Sequence, residues 1–127
     1  MKGIDDMDKE QLKFNKEIGM RIRDHREFLN YTREQLSEKS DISTQFLADI
    51  ENGRKSMTAK TLRNISKALS LSADYILNGT TKTPLSEYET EQLTILLNGF
   101  TPYQKECAVE ILKAYAKALS YHSECKE

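Results

Sequence analysis

Two cysteines, Cys107 and Cys125, are all that the chain carries, and they make neither a disulfide framework nor a zinc site. Both thiols are expected to be reduced, in the cytoplasm. Two prolines leave room for long unbroken helices. The glycines Gly3, Gly19, Gly53, Gly79 and Gly99 stand alone, so no glycine-rich loop is available to cradle a phosphate. His25 and His122 lack metal-ligand company, and no Ser-His-Asp set can be assembled. No apolar run approaches the roughly 20 residues of a membrane span, so no membrane partner is expected. Met1 to Glu10 is acidic and has no apolar stretch, and a secretory leader is not expected there. With 127 residues and no catalytic constellation, neither an enzyme nor a cofactor is expected.

What remains is 38% hydrophobic and 31% charged, the balance of a helix-rich globular chain. Charge is unevenly placed. Residues 13–79 hold 12 basic and 9 acidic side chains, whereas residues 1–12 and 80–127 each have an acidic excess. A basic middle between acidic ends suits a nucleic-acid-binding module with a different kind of tail.

Apolar spacing supplies the helices. Phe14, Ile18, Ile22, His25 and Leu29 lie on one helical face. Thr32-Arg33-Glu34-Gln35 is a capping box that opens a second helix anchored by Leu36. Ser43 caps a third, with Leu47 and Ile50 turned inward and Asn52-Gly53 as its stop. Thr58 and Ser72 cap a fourth and a fifth, the latter ending at Asn78-Gly79. Beyond the polar stretch to Pro84, Ser86 and Thr101 open two more helices. No stretch alternates with the period of a strand, so the chain is expected to be all-α.

Helices two and three are joined by a turn of about two residues, Asp41-Ile42, as in a helix-turn-helix. With Leu47 and Ile50 inward, the third helix (about 43–52) turns Thr44, Gln45, Ala48, Asp49 and Asn52 outward. Glutamine can pair with adenine through both ends of its amide, hydroxyls suit any base, and a methyl can touch thymine. A solvated helix face is the bland alternative.

The stretch from Ile18 to Gly79 resembles the phage-repressor (Cro/repressor, or xenobiotic-response-element) type of helix-turn-helix domain. The likeness rests on Ile18-Gly19, Arg21-Ile22-Arg23, Arg26, Thr32-Arg33-Glu34-Gln35-Leu36 and Ile42-Ser43. It continues through Ile50-Glu51-Asn52-Gly53-Arg54, Thr61-Leu62, Ala68-Leu69 and the run from Ser72 to Gly79. The resemblance implies a five-helix domain that binds a double-stranded DNA operator, usually as a dimer. By that likeness Ser43, Thr44, Gln45 and Asp49 take base-reading positions. Thr32, Arg33, Asn52, Arg54 and Lys55 take phosphate-gripping ones, which set register and affinity. Arg26 and Glu51 stand where relatives have an ion pair between helices one and three. Three residues depart from the pattern: Ser37 replaces a small apolar residue, Asp41 a glycine, and Asp49 an often basic or neutral one. Asp49 could accept from a cytosine amine or serve an intramolecular partner.

The expected organisation is a flexible acidic arm (1–12), the DNA-binding domain (13–79), a linker (80–84) and a C-terminal two-helix hairpin (85–127). Tyr88, Leu93, Leu96, Leu97 and Phe100 are expected to face Ile111, Leu112, Tyr115 and Leu119. These faces are richer than one hairpin can bury, which points to a homodimer with Tyr115 and Leu119 at its contact. The leading expectation is a transcriptional regulator, specifically a repressor. The alternative is a protein-interaction module, an antitoxin or adaptor that holds a protein partner through the C-terminal helices.

Overall fold

The computed structural model describes residues 8–80 and 84–125, with the side chains of residues 120–125 left aside. Residues 1–7 of the expected arm, most of the expected linker and the side chains of Tyr121, His122 and Cys125 lie outside that description. Among the described residues there are seven α-helices and no strand. They are α1 (Lys9–Phe28), α2 (Arg33–Lys39), α3 (Thr44–Glu51), α4 (Ala59–Leu69), α5 (Ala73–Asn78), α6 (Glu87–Asn98) and α7 (Pro102–Cys125). None is long and apolar enough to cross a membrane.

The first helix begins earlier than its apolar spacing suggests. Asp8 is its N-cap, accepting from the amides of Glu10 at 2.8 Å and Gln11 at 3.2 Å. A carboxylate there satisfies two otherwise unpaired donors and complements the positive end of the helix. Residues 9–12, expected in a flexible arm, are therefore its first turn. Thr32, Ser43, Thr58, Ser72 and Ser86 cap the starts of α2, α3, α4, α5 and α6 through their hydroxyls.

The five N-terminal helices enclose a core of Ile22, Leu29, Leu36, Leu47, Ile50, Ile65, Leu69 and Ile76. α1 packs on α3 and α5, and α2 packs on α3 and α4. The α1–α3 crossing depends on Gly19. A Cβ there would lie 2.2 Å from the Ile50 carbonyl oxygen and 2.6 Å from that of Glu51, so only glycine lets the two backbones approach. Arg21 closes the far end by donating to the carbonyls of Ile76 at 3.0 Å and Leu77 at 3.2 Å, at the C-terminus of α5. Phe14, expected on the buried face, is 43% exposed. It lies one turn beyond the core and lines an open groove with Met57, Leu62 and Leu77.

The C-terminal helices behave differently from each other. α7 returns to the domain and packs along α4. Ser70, left-handed at φ 51°, donates its hydroxyl to the Ala116 carbonyl at 2.6 Å. Lys113 and Lys117 place their ammonium groups 4.5 Å and 5.0 Å from the ring centres of Phe28 and Tyr31. α6 buries no residue. Its apolar face and that of α7 do not cover each other, contrary to the expected pairing: Leu96, Ile111, Leu112 and Tyr115 are each at least 60% exposed. Local signals placed both helices correctly, but the small Ala116, rather than Tyr115, is what fits against the core.

Candidate nucleic-acid interface

The short α2–Asp41-Ile42–α3 connection holds its shape because Asp41 adopts φ 59°, a left-handed conformation that aspartate tolerates better than most residues. The amide end of α2 is built by a reciprocal box. Thr32 Oγ1 accepts from the Gln35 amide at 3.0 Å, and Gln35 Oε1 accepts from the Thr32 amide at 2.8 Å. Ser37 is buried, and the hydrogen bonds of its hydroxyl explain why an alcohol is acceptable there. It donates to the Glu34 carbonyl at 3.0 Å and lies 3.1 Å from the Thr44 hydroxyl, tying α2 to the start of α3.

On α3, Leu47 and Ile50 face the core, and Phe46 packs at its edge. Ser43 and Gln45 are exposed, Thr44 is half-buried, and Asn52, Arg54 and Lys55 are exposed beyond the helix end. Asp49 has a different environment from the one expected of a base reader. It is buried, accepts from Gln45 Nε2 at 3.2 Å, and has Arg54 Nη1 and Lys55 Nζ at 3.7 Å and 3.4 Å. Its oxygens face intramolecular donors, so a base edge would have to displace them.

Glu51 is the anchor beneath this surface. Its carboxylate is fully buried and holds two guanidinium groups. Arg26 binds it through both oxygens, Nε to Oε2 at 2.7 Å and Nη2 to Oε1 at 3.1 Å, and also donates to the Tyr31 carbonyl at 2.9 Å. Arg33 Nε reaches Oε1 at 2.9 Å from the first turn of α2. A planar guanidinium suits such two-point pairing. The three residues join α1, α2 and α3 at one point, and Glu27 lies 3.8 Å from Arg26 Nη2 at its edge. The Arg33 arm is the part that sequence reasoning missed. Its partner is 18 residues away and no local period signals it.

Where α1 meets the end of α4, partial burial holds the His25 imidazole below its ordinary range, and a hydrogen bond at the Leu69 backbone works the other way. Among the described residues no cluster of three His, Cys, Asp or Glu could hold a metal ion. Cys107 is an exposed free thiol.

The helix-turn-helix family model matches residues 22–76, from mid-α1 to α5. Two curated sequences of Mycobacterium tuberculosis, from strains CDC 1551 / Oshkosh and ATCC 25618 / H37Rv, are each 30% identical over 99 residues. The matches cover 76% of this chain and 70% of each relative, and both relatives are named as uncharacterised HTH-type transcriptional regulators. A chain of the solved SinR protein/SinI protein complex superposes with a TM-score of 0.49 at 25% identity, covering 77% of this chain and 96% of that one.

Proposed function

Because the chain belongs to the HTH-type transcriptional regulators, DNA-binding proteins without enzymatic activity, we propose that it is a sequence-specific repressor that reads the major groove with α3. The observation that carries this reading is the grouping at one edge of α3. Ser43 and Gln45 are exposed there, Thr44 is half-buried, and exposed Asn52, Arg54 and Lys55 follow directly. The first three have the chemistry to meet base edges, and the last three have the chemistry to hold the backbone on either side. Thr32 and Arg33 at the amide end of α2 offer a further phosphate position, with the Arg33 Nη donors available once Nε is spent on Glu51. Occupying an operator blocks other proteins from it, which is repression in its simplest form. The place of action is the compartment that holds the chromosome, the cytoplasm.

In this reading the DNA-binding unit is the five-helix part up to Gly79, and residues 85–127 serve assembly. A second copy covers the open apolar face, where Tyr115 is 62% and Leu119 42% exposed. Two copies would set their α3 helices about 34 Å apart, one turn of the duplex. The same open face also suits the second reading, an antitoxin or adaptor holding another protein, and the acidic excess after residue 80 accompanies it. A gel shift with the chain's own upstream DNA and a scrambled duplex, alongside sedimentation, separates the two. A dimer that shifts only the former supports the repressor. A monomer that shifts neither overturns it in favour of the adaptor.

A further inference from the structure

We propose that Asp49 fixes which end of the Gln45 amide faces the DNA, and so makes adenine the base read at that position. The proposal deepens the α3 reading above and rests on it. Gln45 and Asp49 are one turn apart on α3, and Gln45 Nε2 donates to Asp49 Oδ1 at 3.2 Å. A primary amide has a donor end and an acceptor end, whereas an ionised carboxylate only accepts. The nitrogen must therefore be the end turned to Asp49, and the carbonyl oxygen is the end left outside the pair. Asp49 is held in place for this task. It is buried, with Arg54 Nη1 3.7 Å from Oδ1 and Lys55 Nζ 3.4 Å from Oδ2. Turning it toward the groove would part it from both cations.

The bound amide keeps its carbonyl acceptor and one N–H. That pair matches the amine donor and N7 acceptor of adenine in the major groove. Guanine presents two acceptors, O6 and N7, and the bound amide has one N–H left for them, so a two-bond pairing would require the amide reversed, with its oxygen where the Asp49 carboxylate repels it. Thymine O4 can take that one N–H, and cytosine can give one bond from its amine to the carbonyl. The resulting order is adenine, with two bonds, ahead of the other three bases, with one each. An acidic side chain on the DNA-facing helix thus acts as a positioning residue for a neighbour, with its own charge matched by Arg54 and Lys55.

The test is selection of a randomised duplex pool by the full-length protein and by the Gln45→Ala, Asp49→Asn and Asp49→Ala variants, with the bound fraction sequenced. In the wild type, the position whose preference vanishes in Gln45→Ala is expected to carry adenine, about tenfold over guanine. In Asp49→Asn the new amide can donate or accept, both orientations of Gln45 become available, and the preference falls below about threefold with guanine gaining. Asp49→Ala moves in the same direction. Should it fail to fold, Asp49→Asn, which keeps the side chain's shape, decides. An undiminished adenine preference in Asp49→Asn, or guanine at the Gln45-dependent position of the wild type, overturns the proposal while leaving α3 as the reading helix. If Gln45→Ala alters no position, the proposal falls at its premise, because Gln45 then reads no base and α3 would read through Ser43 and Thr44 alone.

Discussion

α2 and α6 start with the same device. Thr32 and Gln35 exchange backbone hydrogen bonds of 3.0 Å and 2.8 Å, and Ser86 and Glu89 do so at 3.1 Å and 2.9 Å. α6 is longer, and it carries Leu93, Ile95, Leu96 and Leu97 against the single Leu36 of α2. Yet Leu36 is wholly buried and α6 buries nothing. A cap decides where a helix begins, and an apolar face states only that something should cover it. What covers it depends on shape and reach: in the N-terminal part, Gly19 and the Glu51 carboxylate let three helices meet, and α6 has no counterpart to either. The contrast also shows in acid–base chemistry. The Ser86 amide holds the exposed Glu89 carboxyl below its ordinary range, a purely local effect, whereas the lowering at His25 comes from packing.

The contrast can be broken most forcefully at Glu51. Glu51→Ala leaves Arg26 buried without its carboxylate and is expected to cost about 3–5 kcal/mol in urea denaturation. Arg33→Ala removes only the more exposed arm and is expected to cost about 1 kcal/mol or less. Equal losses would show that both arms bear the same structural weight. Glycines give the next comparison. Gly19→Ala drives a methyl into two carbonyl oxygens and should lower stability by about 1–3 kcal/mol, read as a fall in Tm. Gly99→Ala meets its nearest atom, the Leu96 carbonyl oxygen, at an ordinary 3.6 Å and should stay within about 0.5 kcal/mol of wild type.

A smaller effect on the fold is expected from Leu93→Glu combined with Leu97→Glu, since both residues are exposed. Circular dichroism melting should change by less than about 1 kcal/mol, while sedimentation shifts toward the monomer. A collapse of the melt would mean that α6 belongs to the core. The smallest effect concerns His25. Its folded-state value is lowered, so below the unfolded value of about 6.5 the unfolded chain binds the extra proton first. Its contribution is complete above that value and is lost as pH falls through the folded-state value. Tm should therefore decline slightly below about pH 6.5, and His25→Gln should flatten that part of the profile. An unchanged slope would assign the decline to other groups.

The starts of α2 to α6 were legible because a hydroxyl and an amide three residues on are a local pair. So were Leu36, Leu47 and Ile50, whose spacing fixes one face. Asp8 was hidden because it sits in an acidic stretch that also reads as a solvated arm, and charge alone does not distinguish a cap from an arm. Arg33 stood out as a basic residue, but its attachment to Glu51 joins different helices, and periodicity carries no information about such a partner. Asp49 was ambiguous for the same reason: facing outward by helical angle, it is nonetheless covered by side chains from beyond the helix end. Ser70 and Ala116 gave no signal at all, since nothing in their types announces that one will donate to the backbone of the other.

The Ser70–Ala116 attachment makes α7 a lever. The contacts to the domain cluster at Lys113, Ala116 and Lys117, so the stretch from Pro102 to Leu112 projects by about 16 Å of helix. A rotation of about 10° at that fulcrum displaces its tip, and α6 with it, by about 3 Å. Hydrogen bonds to base edges tolerate only a few tenths of an ångström, and successive grooves are a fixed 34 Å or so apart. In an assembly joined through α6, the angular stiffness of the α7 seat on α4, with the Ser70 hydroxyl and two lysine–ring contacts as parts of it, would therefore set how strictly the protein enforces the spacing between half-sites.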